Sequence, residues 1–174
     1  AAYRAAASRL SAGRKAAAAA LGQAVEAELP DLKLGAARFI VEHQIDENRL
    51  SATGFDQIAF HVQTNPGTAP GPLLKVASGG ELSRFLLALK VVLADRGSAP
   101  VLIFDEIDTG VGGAVADAIG RRLARLAGKV QVLAVTHAPQ VAARANRHLL
   151  IEKQMVEEGA FMRTHVRPLD VPAR

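Results

Sequence analysis

Three short segments of the 174-residue chain hold side chains suited to work on a phosphate group. The run Val101-Leu102-Ile103-Phe104 delivers two acids, Asp105 and Glu106. An aspartate at the carboxyl end of a parallel strand can hold Mg2+ directly or through water. A glutamate beside it can take a proton from water attacking a terminal phosphate. A pair of solvated acids in a strand-to-helix turn is the plainer alternative. Thr136-His137 follows a second apolar run, Val130 to Val135, so the same sheet edge would present it beside the acids. His137 could hydrogen-bond a γ-phosphate or orient the attacking water, or simply end the strand as a satisfied polar residue. Ser78-Gly79-Gly80-Glu81 has serine and glutamate at capping-box spacing, which accounts for Ser78 and Glu81 at any helix start. The glycine pair is left over, and uncovered amides at the positive end of a helix form an anion-binding surface. His43, His61, His148 and His165 are read as structural.

These residues need a scaffold that brings distant segments together. Residues 1–29 are alanine-rich and lack proline, which predicts a helix; Tyr3, Leu10, Ala17 and Ala24 fall at a seven-residue step. That step suits either one strand of a coiled coil or an amphipathic helix packed on its own domain. Beyond Pro30 the pattern alternates at Phe39 and Val41 and again at Ile58, Phe60 and Val62, predicting an antiparallel pair of strands. Asn65 to Pro72 reads as a polar loop, and helical spacing runs from Leu82 towards Gly97. Val101–Phe104 and Val130–Val135 have the unbroken apolar character of strands buried on both faces of a parallel sheet, with a helix over Val115–Ala127 between them. A hairpin is expected from His148–Lys153 and Phe161–Arg167 around Glu157, Glu158 and Gly159.

Length and a 49% apolar composition fit one domain with its own core. Zero cysteines exclude a disulfide framework, a thiolate zinc site and a cysteine nucleophile within the chain. No run approaches the roughly 18 apolar residues of a membrane span, so a cytoplasmic protein without a membrane partner is expected. A net charge of +4 and a pI near 9.8 suit a polyanionic partner, with Arg121, Arg122, Arg125 and Lys129 as a candidate patch.

SGGELSR at Ser78 to Arg84, VLIFDEIDTGVGG at Val101 to Gly113 and THAPQVAA at Thr136 to Ala143 stand in the order and spacing of an ABC ATPase. They resemble its signature motif, its Walker B with catalytic glutamate and D-loop, and its switch histidine. PLLKVASGGELSR and DEIDTGVGG resemble the RecN family more than cohesin and condensin, whose D-loop typically ends in aspartate where this chain has Gly112. The resemblance implies an α/β fold, the carboxy-terminal half of an ABC-type P-loop ATPase head, whose mixed sheet has parallel core strands. Residues 1–29 would be the foot of a coiled-coil helix and 30–174 the head lobe.

It further implies ATP and Mg2+ as cofactors, Glu106 and His137 as catalytic residues and Asp105 as the Mg2+ ligand. Ser78, Gly79, Gly80 and Glu81 would meet ATP held by a partner head, and Asp108, Gly110 and Gly112 would belong to the D-loop. Gly-x-x-x-x-Gly-Lys-Ser/Thr is absent, so the chain has no phosphate-cradling loop of its own. An amino-terminal half would supply it, and the fragment alone would be inactive. DNA and a second head would be the other partners, in nucleoid-associated double-strand break repair and recombination. Another SMC-type chromosome-maintenance ATPase, a transporter cassette and a non-catalytic half-cassette are the rivals.

Overall fold

Alanine costs least of all residues in a helix, and the alanine-rich opening forms α1 (Ala2–Glu28), 27 residues and about 40 Å long. The computed structural model describes residues 2–48, 50–94, 96–97, 99–105, 107–156 and 161–170. A 3-10 turn at Pro30–Leu32 reverses the chain, with Lys33 in the left-handed region at φ 59° and its N–H donating to the Pro30 carbonyl. The chain then enters β1 (Arg38–Ile45), which pairs antiparallel with β2 (Asp56–Gln63); the short β3 (Gly71–Pro72) lies within the expected loop and pairs with β2.

α1 runs antiparallel to β1 and touches this layer along nearly its whole length. The Ser51 amide donates to the Tyr3 hydroxyl at 3.1 Å, Arg4 pairs with Glu47 at 3.0 Å and Arg38 with Glu26 at 2.8 Å. In the middle, buried Asp56 receives Arg14 at 2.7 Å and His43 at 2.6 Å. The face of α1 turned inward carries Ala7, Ser11, Arg14, Ala18, Leu21 and Val25, alternating steps of four and three. The expected Tyr3–Leu10–Ala17–Ala24 stripe flanks this seam, and Tyr3 and Leu10 remain exposed.

After α2 (Leu73–Val76) comes α3 (Gly79–Val92), then β4 (Val101–Asp105), α4 (Gly113–Ala127), β5 (Gln131–Val135), the single turn α5 (Pro139–Ala142) and the hairpin β6 (His148–Val156) and β7 (Phe161–Leu169). β4 and β5 pair in parallel from Val101↔Gln131 to Asp105↔Val135. The buried core joins Val25, Leu29 and Leu32 to Phe39, Val62, Phe85, Ile107, Ile119, Leu123 and Leu126. α4 contributes through Ala116, Ile119, Leu123 and Leu126, one stripe at helical spacing. At Gly120 α5 lies so close that an added Cβ would stand 3.0 Å from the Gln140 carbonyl oxygen.

Two expectations are corrected here. The β4–β5 pair is covered on one face only: Leu102, Phe104 and Val132 pack against the core, whereas Val101, Ile103, Leu133 and Val135 are exposed, Ile103 at 71%. An unbroken apolar run records that both faces avoid water, and among the described residues no element covers the second. The arginines of α4 do not form an open basic patch. Arg122 is buried and donates to Glu28 Oε2 at 2.8 Å, the Glu28 carbonyl at 3.2 Å and Asp31 at 3.2 Å. Arg125 holds the other Glu28 oxygen at 2.5 Å, Arg121 pairs with Asp117, and Lys129 also interacts. Arg122 and Arg125 thus fasten α4 to the end of α1 through Glu28. The hairpin forms as expected, although Glu157, Glu158 and Gly159 lie outside the described residues; Leu149, Ile151, Met155, Met162 and Val166 share one exposed face of it.

Candidate functional site

Parallel pairing in register carries Asp105 and Val135 to the same end of the sheet, so Asp105 and the Thr136–His137 segment just beyond Val135 share one rim. Asp105 is exposed there, while Glu106 lies outside the described residues. Next in the chain, Ile107 and Asp108 turn inward and are fully buried. The loop then closes back through the Val111 amide on the Asp108 carbonyl at 3.2 Å and enters α4. Gly110 and Gly113 hold φ of 72° and 52°, where side chains are strained; Gly112 is extended at −155°, a conformation open to any residue. The backbone therefore requires glycine on either side of Gly112 and leaves Gly112 itself unconstrained.

Asp108 ties this loop to the segment after β5. Its Oδ2 accepts from Thr136 Oγ1 at 2.5 Å and from the Ala138 amide at 2.9 Å, and the His137 Nδ1 stands 3.8 Å away. Burial opposes ionisation of this carboxyl, but the Thr136 hydroxyl and the Asp108 and Ala138 amides outweigh it and hold the group below the usual carboxylate range. Oδ1 is buried without a hydrogen-bond partner among the described residues. The His137 side chain is 75% exposed.

The glycine-led helix meets the same loop from the other side. Ser78 caps α3: its Oγ and its amide donate to Glu81 Oε2 at 2.7 and 2.9 Å, and the Glu81 amide returns a long bond to Ser78 Oγ. The Ser78 hydroxyl and amide hold the Glu81 carboxyl below its ordinary range. Glu81 is thus committed to the cap, whereas the amides of Gly79 and Gly80 lie in the first turn, which has no intrahelical acceptors. A Cβ on Gly79 would meet open space; on Gly80 it would stand 3.5 Å from the Thr109 carbonyl and 3.3 Å from Arg84 Nη1. Arg84, not singled out from the sequence, is buried one turn on, and burial lowers its pKa. Its sequence signal was a cation three residues after Glu81 at the start of an apolar helix.

All three segments singled out by residue type therefore gather around residues 107–113. The described residues contain no group of three or more His, Cys, Asp or Glu able to hold a metal without other ligands. No described helix is long and apolar enough to cross a membrane.

No family model matches the chain. It is 48% identical over 152 residues to the DNA repair protein RecN of Rickettsia conorii, covering 87% of this chain and 28% of the relative. It therefore spans little more than a quarter of the curated relatives it matches. Among solved structures it resembles the Smc head domain with coiled coil and joint from Pyrococcus yayanosii, with TM-score 0.64, 16% identity, and coverage of 92% of this chain and 28% of that one. A second SMC ATPase structure, from work on ATP-driven dimerization and DNA-stimulated activation, aligns with TM-score 0.55 at 14% identity over 94% of this chain and 91% of its own. Over 87% of its length the chain is thus similar to a stretch of RecN, and its α/β fold is that of solved Smc head domains.

Proposed function

We propose that the chain is the carboxy-terminal half of an ATP-hydrolysing head that engages DNA in double-strand break repair and recombination. An amino-terminal half, on the same polypeptide or a second chain, supplies the phosphate-cradling loop. The observation that carries this reading is the rim where Asp105 and Thr136–His137 lie together, with the first turn of α3 against the adjoining loop. An exposed carboxylate such as Asp105 suits Mg2+, which keeps several waters and takes further oxygens from bound phosphates. Held there with ATP, Mg2+ would supply positive charge against the phosphates.

Within that site Asp105 holds the cation, Glu106 accepts a proton from the attacking water, and His137 hydrogen-bonds the γ-phosphate. Ser78, Gly79 and Gly80 present the start of α3 to ATP held by a second head, with Glu81 fixing Ser78 in place. Asp108, Gly110 and Gly112 lie in the D-loop, whose turn Gly110 allows by its positive φ. Nucleotide sandwiched between two heads then favours the closed dimer by its greater affinity for that state, and hydrolysis opens it. The exposed faces of β4–β5 and of the hairpin are the surfaces on which the amino-terminal half packs. The relatives' greater length supports this, since most of their sequence lies outside the matched segment. The exposed stripe of α1 is left for a coiled-coil partner helix. Action on DNA would place the protein in the cytoplasm with the nucleoid.

The test is ATPase activity of the head with both halves present, with and without DNA. Glu106→Gln is expected to accumulate an ATP-bound dimer without turnover; turnover equal to the parent would remove Glu106 as the base. If adding the amino-terminal half brings no gain in nucleotide binding, the chain is a non-catalytic interaction module instead.

A further inference from the structure

We propose that Asp108 is a positioning residue that sets the direction of His137. The inference rests on the ATPase reading above and assigns Asp108 a task distinct from contacting nucleotide. Its carboxylate is sealed from solvent, and the donors that reach it from elsewhere in the chain come from one short segment: Thr136 Oγ1 at 2.5 Å and the Ala138 amide at 2.9 Å, both on Oδ2. Thr136 and Ala138 flank His137 on either side. The Ala138 amide also reaches Thr136 Oγ1 at 3.0 Å, so carboxylate, hydroxyl and amide close a small ring beneath the histidine. With its backbone pinned before and after, His137 keeps little freedom beyond its side-chain torsions. The imidazole projects into solvent with Nδ1 the nitrogen facing Asp108.

The chain makes this device because burying an ionised carboxylate is costly unless donors surround it, and beyond Asp108's own amide it is the segment after β5 that supplies them. The neighbouring residue, Thr109, faces the first turn of α3 through its carbonyl, 3.5 Å from a Cβ built on Gly80. The peptide that carries Asp108 is therefore also the floor under the glycine-led helix. Displacement of that helix when a second head arrives reaches His137 through consecutive residues of one loop.

The test uses the protein with both halves of its head. Asp108→Ala and Thr136→Val are each expected to lower kcat for ATP hydrolysis by about 10- to 100-fold, as misplacement of a reacting group does. KM for ATP should stay within about threefold, since ground-state binding is not the target. Thr136→Ser, which keeps the hydroxyl donor, should recover kcat relative to Thr136→Val. Combining Asp108→Ala with His137→Ala should cost no more than His137→Ala alone, because one residue acts through the other. Additive losses, or a parallel rise in KM, would overturn the proposal. Amide exchange in the same protein separates this failure from failure of the ATPase reading. Asp108→Ala should speed exchange at Ala138 whether or not the head hydrolyses ATP, and unchanged protection there would refute the anchor by itself.

Discussion

Replacing Glu28 with glutamine removes one charge from the junction where α1, the 3-10 turn and α4 meet. Arg122 is 9% exposed at its side chain and Glu28 18%, so the pair is shielded from water, while the second carboxylate on Arg122, Asp31, is 63% exposed. Stranding a buried charge typically costs about 3–5 kcal/mol. Here the glutamine oxygen still accepts from Arg122, the Ala118 and Glu28 carbonyls remain, and Asp31 keeps a solvent-screened attraction. These reduce the expected loss to about 1–2 kcal/mol. For a chain of this size that corresponds to a fall in Tm of about 2–6 °C. Equilibrium urea unfolding of the 174-residue chain, followed by far-UV circular dichroism, reads the loss directly. The matched control is Arg121→Ala, an exposed arginine on the same helix paired with Asp117 at i,i+4, expected to cost no more than about 0.5 kcal/mol. Equal losses in the two variants would refute the view that burial, rather than charge pairing as such, gives the Arg122 junction its weight.

Gly120→Ala should destabilise the chain by about 1–3 kcal/mol, because the new methyl meets backbone of α5 at 3.0 Å; a neutral result in thermal unfolding would show that α5 is free to move. Hydrogen bonding from Ser11, against burial and aided by His43 and Arg14, lowers the Asp56 pKa from 3.8 to about 2. Its contribution to stability is thus complete above the unfolded value and lost as pH falls from about 4 through 2; Asp56→Asn should flatten that part of the stability–pH curve, and an unchanged slope would exclude this carboxylate as its source. Ile103→Lys, on the uncovered face of β4, should leave the chain's own unfolding midpoint unchanged and weaken its association with the proposed amino-terminal half by about tenfold or more. A titration showing parent affinity would move the docking surface elsewhere.

Periodicity and turn chemistry made most elements legible. Ser78 and Glu81 announced the start of α3, the alternation at Phe39–Val41 and Ile58–Val62 announced β1 and β2, and the valine-rich runs announced the parallel pair. What escaped the sequence depends on partners far along the chain. Arg122 looked like a solvated cation because Glu28 is 94 positions away. Asp108 sat among exposed loop residues in sequence, and only the fold turns it towards Thr136. The seam of α1 was offset because alanine fills the stripe on either side of it equally well. Glycine's role at Gly110 and Gly113 is a matter of backbone angle, which residue type suggests but does not assign.

The manner in which α1 lies on its sheet has a mechanical side. Its attachments run from Tyr3 beside Ser51 to Glu26 beside Arg38, with the Arg14–Asp56–His43 knot between them. A force directed along the helix axis loads these bonds in shear, all at once, and the lobe moves as one body with the helix. A force that lifts the Tyr3 end sideways meets them in sequence, and the knot at Asp56 is the first shielded bond in its way. The same joint is stiff to pulling and compliant to prying.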